Sequence, residues 1–409
     1  MKFGRFAGGM LGVALAMTMA GCRIADGGAE SARAQTAEEH AAAPASQVGI
    51  DWSRLSMSDL DVASVFLAAR DVGLRPALDS LAKLAARDSA IHANGHQIAH
   101  AVGRFAEARG GPAVFAQCTP GMQSGCMHGV MEAYLETAPI DTAALGRLCD
   151  EIRRPDGPRL EYRECAHGLG HGIAMRLNGD LPAALAACEA VRAPDGRGEC
   201  FDGVFMQNVV DGLSVATVNV GEAAGHQHGS GHAHGGAAAP KRRWLKDDDF
   251  AFPCDSVAAR HQASCWSYQY NVIRMRHGGD LAATLRDCDT APAAARPDCY
   301  RGTGKQIGAE AANPAQAAAW CRAASAELAG RCIAGAAEYF VDLDWTTPPA
   351  HAFCAAVPTD LQPDCYGMIG ERLKLIYAAP APIRADCAKA GAHAAACLRG
   401  AGLPDDRRS

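Results

Sequence analysis

The sequence predicts an all-α fold, a solenoid of helical hairpins stapled by disulfides, and three observations carry that prediction. Sixteen of the 17 cysteines fall into eight neighbouring pairs: Cys118/Cys126, Cys149/Cys165, Cys188/Cys200, Cys254/Cys265, Cys288/Cys299, Cys321/Cys332, Cys354/Cys365 and Cys387/Cys397. In the last five pairs the first cysteines stand at 254, 288, 321, 354 and 387, a period of 33 or 34 residues. A fixed period of that size marks stacked units that are each too small to bury their own apolar face. The step from the second cysteine of one pair to the first of the next is 22 or 23 residues, as from 126 to 149 and from 299 to 321. These stretches are Ala-rich with a central turn signal, such as NGD at 178–180, GGD at 278–280 and NP at 313–314, which fits two helices and a turn.

The chain opens on a different kind of segment. Basic Lys2 and Arg5, an apolar run from Phe6 to Met19 and the small-residue ending AGC read as a signal segment, residues 1–21. The ending resembles the lipobox of bacterial lipoproteins, which implies lipidation of Cys22 and a membrane anchor; an ordinary secretory signal is the alternative. Arg23 is not the aspartate that retains some lipoproteins at the inner membrane, so the resemblance implies an outer-membrane location facing the periplasm. Residues 22–47 are rich in Ala, Glu, Ser and Gly without apolar period and read as a lipidated tether. The even number of cysteines left after Cys22 fits an oxidising compartment. A net charge of −6 argues against nucleic acid as a partner.

Within the repeats, helix A is expected to start at the second cysteine of a pair and helix B to end at the first cysteine of the next, so each disulfide staples one hairpin to its successor. Each bridge can add up to about 3 kcal/mol by restricting the unfolded chain. Zinc-ribbon ligation needs CxxC spacing, which is absent, as is a CxxCH haem attachment motif. N-terminal repeats occupy 48–212 and C-terminal repeats 251–409. Between them, 213–250 forms an insertion, because the 54-residue step from Cys200 to Cys254 exceeds the usual one by about 31. Its GHQHGSGHAHGG stretch offers His226, His228, His232 and His234 as an accessory metal loop or as a solvated low-complexity segment. KRRWLKDDDF reads as a solvated strap.

GDLPAALAACEAV (179–191) and GDLAATLRDC (279–288) resemble the second helix of tetratricopeptide and Sel1-like repeats. The first-helix Trp/Leu/Gly/Tyr pattern of those families is missing, so the resemblance is one of architecture, over about 92–400. It implies a curved stack with A helices lining a concave groove, where a protein or peptide partner would sit, and implies no activity.

Aligned on the second cysteine as position zero, positions +2 and +6 read His128 and Glu132, then His167 and His171, then Asp202 and Met206. Later repeats carry Ser267/Asn271, Arg301/Lys305, Ala334/Glu338 and Gly367/Glu371 there, and upstream His96 and His100 fall in the same register behind Asn94. Residues four apart share a helix face, and glycine at +3 (Gly129, Gly168, Gly203) lets neighbouring A helices approach. His96, His100, His128, Glu132, His167 and His171 are therefore expected to converge. Five imidazoles and a carboxylate suit zinc, iron, copper, nickel or manganese rather than calcium or magnesium, as two ions or as one ion beside an acid/base group. Non-covalent haem and purely structural histidines are the alternatives. His92, His261, His277, His351 and His393 lie off the register and read as surface or cap residues. Three functions follow: a metal-dependent enzyme, a metal-handling protein, or a repeat scaffold for protein–protein interaction without metal.

Overall fold

A computed structural model describes residues 65–138, 141–150, 152, 157–213 and 244–404. Cys22 and His226, His228, His232 and His234 lie outside the described residues. The described residues fold as sixteen α-helices with no strand, and none of these helices is long and apolar enough to cross a membrane. Helices of one row, called long here although the last has seven residues, mostly alternate with helices beside it, called short although the first has twelve. The long helices are α2 (Ser89–Gly110), α3 (Gly125–Thr137), α5 (Leu160–Arg176), α7 (Pro194–Gly212), α8 (Ala259–Arg276), α10 (Arg296–Glu310), α12 (Ala329–Asp342), α14 (Gln362–Ile376) and α16 (Ala394–Gly400). The short ones are α1 (Leu74–Ala85), α4 (Thr142–Leu148), α6 (Leu181–Cys188), α9 (Leu281–Cys288), α11 (Pro314–Cys321), α13 (Pro348–Ala356) and α15 (Pro380–Cys387).

The predicted turn signals start the short helices. Asp180 and Asp280 accept hydrogen bonds from the backbone N–H of Ala183 and Ala283, and Asn313 accepts one from Gln316 at 2.9 Å, satisfying donors that a helix N-terminus leaves orphaned. Gly179 and Gly278, at φ of 74° and 59°, provide the left-handed turns that precede α6 and α9.

All eight neighbouring pairs are joined as disulfides: Cys118–Cys126, Cys149–Cys165, Cys188–Cys200, Cys254–Cys265, Cys288–Cys299, Cys321–Cys332, Cys354–Cys365 and Cys387–Cys397, with Cα atoms 5.4–5.7 Å apart. Every one of these cysteines is buried. From α4 onward, short helices end at the first cysteine of a pair or within two residues of it, as expected.

The expected place of the second cysteine needs correction, because it lies inside its long helix rather than at the start. Cys126 is the second residue of α3, Cys165 the sixth of α5, Cys200 the seventh of α7 and Cys265 the seventh of α8. Cys299, Cys332, Cys365 and Cys397 are each the fourth residue of their helices, α10, α12, α14 and α16. The ring closed by each bridge therefore includes the beginning of the long helix and is not a bare loop. In α7, α10 and α14 a proline in the first turn sets the earlier start, because its fixed φ and missing N–H suit that position.

Consecutive long helices pack directly on one another from α2 to α16. The contact is made through glycine. A Cβ on Gly129 would lie 1.9 Å from the carbonyl oxygen of His100, and one on Gly203 would lie 2.0 Å from that of His167. A second set, two residues further along, faces the other way: Gly170, Gly304 and Gly370 would meet the carbonyl oxygens of Cys200, Cys332 and Cys397 at 2.1, 2.0 and 1.8 Å.

The row curves until its second half touches its first. Trp345 Nε1–H donates to Ser124 Oγ at 3.1 Å, the Gln123 N–H to the Leu343 carbonyl at 3.2 Å, and the Arg159 N–H to the Leu375 carbonyl at 3.0 Å. The loop before α3 thus meets the end of α12, and the start of α5 meets the end of α14. Part of the expected strap also packs: Leu245 is buried beside Val209 and Val272, and Trp244 stacks on Phe252.

Candidate metal centre

α2, α3 and α5 are consecutive in the row, and each contributes a pair of side chains one helical turn apart. His96 is half-buried, while His100, His128, Glu132, His167 and His171 are 1–7% exposed. The five imidazoles pack as one cluster with ring centroids 4.5 Å apart for His96 and His100, 4.8 Å for His128 and His167, and 5.7 Å for His100 and His171.

The outer nitrogens of four rings are held by acceptors. His96 Nδ1 donates to the Met122 carbonyl at 2.9 Å, His100 Nδ1 to Glu132 Oε1 at 2.9 Å, His128 Nε2 to Glu164 Oε2 at 2.7 Å, and His171 Nδ1 to Gln207 Oε1 at 2.9 Å. Gln207 is itself oriented, since its amide nitrogen donates to Asp211 at 3.1 Å. A ring that donates from one nitrogen and stays neutral carries a lone pair on the other.

The lone pairs of His96, His100 and His171 turn inward, while His167, whose Nδ1 meets no acceptor, can donate from Nε2 to His171. His96 Nε2 and His100 Nε2 face each other at 3.0 Å, and His167 Nε2 and His171 Nε2 at 3.2 Å. His128 Nδ1 is buried without a hydrogen-bond partner, and so is His167 Nδ1. Two lone pairs at 3.0 Å repel unless a cation, proton or metal ion, lies between them. Burial, then the charge of His100, pushes His96 down to about 3, and burial followed by neighbouring imidazoles holds His128 and His167 well below the ordinary histidine range. Burial lowers His171 as well, opposed by Glu132.

Donor atoms of His96, His100 and His128 lie within 4.8 Å of one another, and so do those of His128, His167 and His171. Glu132 sits behind His100 rather than among these atoms. Burial works against its charge, but His100, His171 and Arg104 outweigh it and keep the carboxyl below its usual range. The structure adds three partners that the register did not point to: Glu164, Gln207 and the Met122 carbonyl. Glu164, at position −1 of its repeat, also pairs with Arg163. Its neighbour Cys165 offers the cluster no thiolate, being bonded to Cys149. Buried groups that could hold a metal ion, with their outer nitrogens clamped, are the pattern of carboxylate–histidine–metal triads.

Beyond the histidines the inner face turns ionic. Asp202, in the register of His128 and His167, is pushed up to about 6 by burial and then by Glu199. Glu338 pairs with Arg301, Lys305 and Arg372, and Asp342 with Lys305 at 3.2 Å and Arg372 at 3.1 Å. Of the off-register histidines, His92 is exposed but lies four residues before His96. His261 is buried rather than at the surface, packed 4.5 Å from the Phe201 ring and 3.4 Å from Glu189. His277 and His351 bond Asp287 and Asp386, each at 2.8 Å.

No protein-family model, curated protein or solved structure matches the chain.

Proposed function

We propose that this protein binds transition-metal ions through His96, His100, His128, His167 and His171, with Glu132 and Glu164 orienting the rings, and that it handles metal in an oxidising compartment. One observation carries the reading: five imidazoles, four buried and His96 half-buried, converge while four outer nitrogens are locked to acceptors. Imidazole-only donation suits zinc, copper, nickel or iron. A site this enclosed favours holding an ion over turning over a substrate, which places metal handling ahead of enzyme action. The eight disulfides support an oxidising location, and a lipid anchor at Cys22 in the bacterial envelope fits the signal segment. We read the stacked hairpins as a solenoid of the tetratricopeptide/Sel1-like kind.

The test is metal content after folding under oxidising conditions with zinc, copper, nickel and iron offered in turn. His171→Ala should lower bound metal and the metal-dependent rise in Tm. Asn271→Ala changes the equivalent position of α8, whose amide bonds only its own helix, and should leave both unchanged. A parent protein that takes up none of these ions gives way to the scaffold reading, with a partner along the inner face.

A further inference from the structure

The donor atoms do not form one group of five. They form two groups of three that overlap only at His128. Metal–imidazole bonds of about 2.0–2.1 Å put nitrogens on one ion roughly 3–3.4 Å apart in octahedral or tetrahedral arrangement. The 3.0 Å separation of His96 and His100 and the 3.2 Å separation of His167 and His171 both meet that condition. Each pair is therefore already spaced as two ligands of its own ion.

We propose that the cluster is two adjacent metal seats sharing His128, an outer seat at His96/His100 and an inner seat at His167/His171, loaded from the surface by way of His92. This rests on the reading of the cluster as a metal centre. His128 can complete only one seat at a time, because its Nε2–H is held by Glu164 and Nδ1 is its single remaining donor. We assign it to the inner seat because the His128 and His167 rings are the closest across the pairs, at 4.8 Å, with His171 at 5.7 Å, against 5.2 and 5.6 Å from His128 to His100 and His96. All three inner ligands are buried, whereas the outer seat includes half-buried His96. The inner ion is thus held by three imidazoles away from water, and the outer ion by two imidazoles beside it.

Exposure grades along the same line. On α2, His92, His96 and His100 recur every four residues and share one face, running from exposed through half-buried to 7% exposed. Behind them stand His128 and His167 at 3% and 4%, then His171 at 1%. From His96 inward, successive ring centroids lie 4.5–5.2 Å apart, and His92 stands one helical turn outside His96. The outer seat then exchanges metal and the inner seat retains it.

The experiment counts zinc by native mass spectrometry and elemental analysis, with far-UV circular dichroism and a non-reducing disulfide map to verify folding. The parent should saturate at two ions per chain. The double variant His96→Gln/His100→Gln should keep one ion that resists a mild chelator, and His167→Gln/His171→Gln should keep one that the chelator removes. The single changes His100→Gln and His167→Gln provide the same contrast if a double variant fails to fold. His92→Ala should bind two ions but load several-fold more slowly in stopped-flow transfer from a chromophoric chelator. Saturation of the parent at one ion, or loss of all zinc in either double variant, overturns the two seats, and loading of His92→Ala at the parental rate overturns the route. A parent that binds no zinc or other transition metal would instead remove the metal reading itself.

Discussion

Glu164 determines which nitrogen His128 can offer. Its carboxylate takes the Nε2–H at 2.7 Å and leaves Nδ1 as the donor facing the cluster, and a carboxylate behind a ligand imidazole raises its basicity. Glu164→Gln is therefore expected to weaken metal binding about 10–100-fold, measured by competition with a chromophoric chelator, while the helical circular dichroism stays at the parental level. Far from the cluster, burial disfavours charge on Asp386, yet hydrogen bonds from His351, Lys389 and Thr347 outweigh burial and hold its carboxyl at about 2. A carboxyl lowered in the folded state adds stability that is fully present above the unfolded value of about 3.9 and fades as pH falls toward 2. Asp386→Asn should thus lower Tm at pH 6, with the deficit shrinking steadily as pH falls from 4 toward 2 in thermal scans. The histidines themselves were legible because the i, i+4 register writes them into the sequence. Their orienting partners were not: a carbonyl such as that of Met122 has no letter of its own, and Glu164 and Gln207 fall at different register positions, −1 and +7.

Close approach of the long helices depends on positions where any side chain would strike backbone. A Cβ on Gly304 would meet the Cys332 carbonyl at 2.0 Å, a contact that neither rigid helix can relieve by a rotamer change. Gly304→Ala should cost about 3 kcal/mol or more, beyond the usual gain of alanine over glycine in a helix. Gly198, within α7, has nothing within 4 Å of its would-be Cβ, so Gly198→Ala should stabilise by roughly 0.5–1 kcal/mol. Chemical denaturation of the two variants decides between opposite signs. The +3 glycines were legible as a helix-approach signal, and the succession of helices joined by central turns followed from the cysteine period. The +5 glycines that face the next helix were not, because other repeats carry Met131, Phe205, Tyr270 and Ala337 at that position and no register marks it. Helix starts were displaced too: Cys299 and Cys365 sit three residues inside α10 and α14 because first-turn prolines, not the cysteines, begin those helices.

Curvature of the whole array brings together residues with no periodic relation, so no repeat alignment could reveal the contact of Trp345 with Ser124. Deleting residues 222–240 should leave this closure intact, since Trp244 and Leu245 remain to pack on α7 and α8; a Tm close to the parent's is the expected result. The closure bears on the metal centre through one loop. Met122, Gln123 and Ser124 all have left-handed backbone, at φ of 55°, 53° and 60°, a conformation that costs of order 1–3 kcal/mol per non-glycine residue and persists only where surroundings enforce it. Two of the enforcing contacts come from beyond α12, Trp345 to Ser124 and Leu343 to Gln123, and the loop so held presents the Met122 carbonyl to His96. The Trp345 ring also lies under Arg163, 5.4 Å from its centroid, and Arg163 pairs with Glu164 behind His128. Trp345→Phe removes the donated hydrogen bond and keeps an aromatic ring for Arg163. It should reduce stability by about 1–2 kcal/mol through the unpaired Ser124 hydroxyl and the loosened loop, and it should also weaken metal binding at His96, although residue 345 touches no histidine of the cluster. Metal competition and apo-protein unfolding measured on the same variant separate the two effects. A fall in stability with unchanged metal affinity would mean that the left-handed loop keeps its shape without the C-terminal hairpins, and that the closure serves the fold alone.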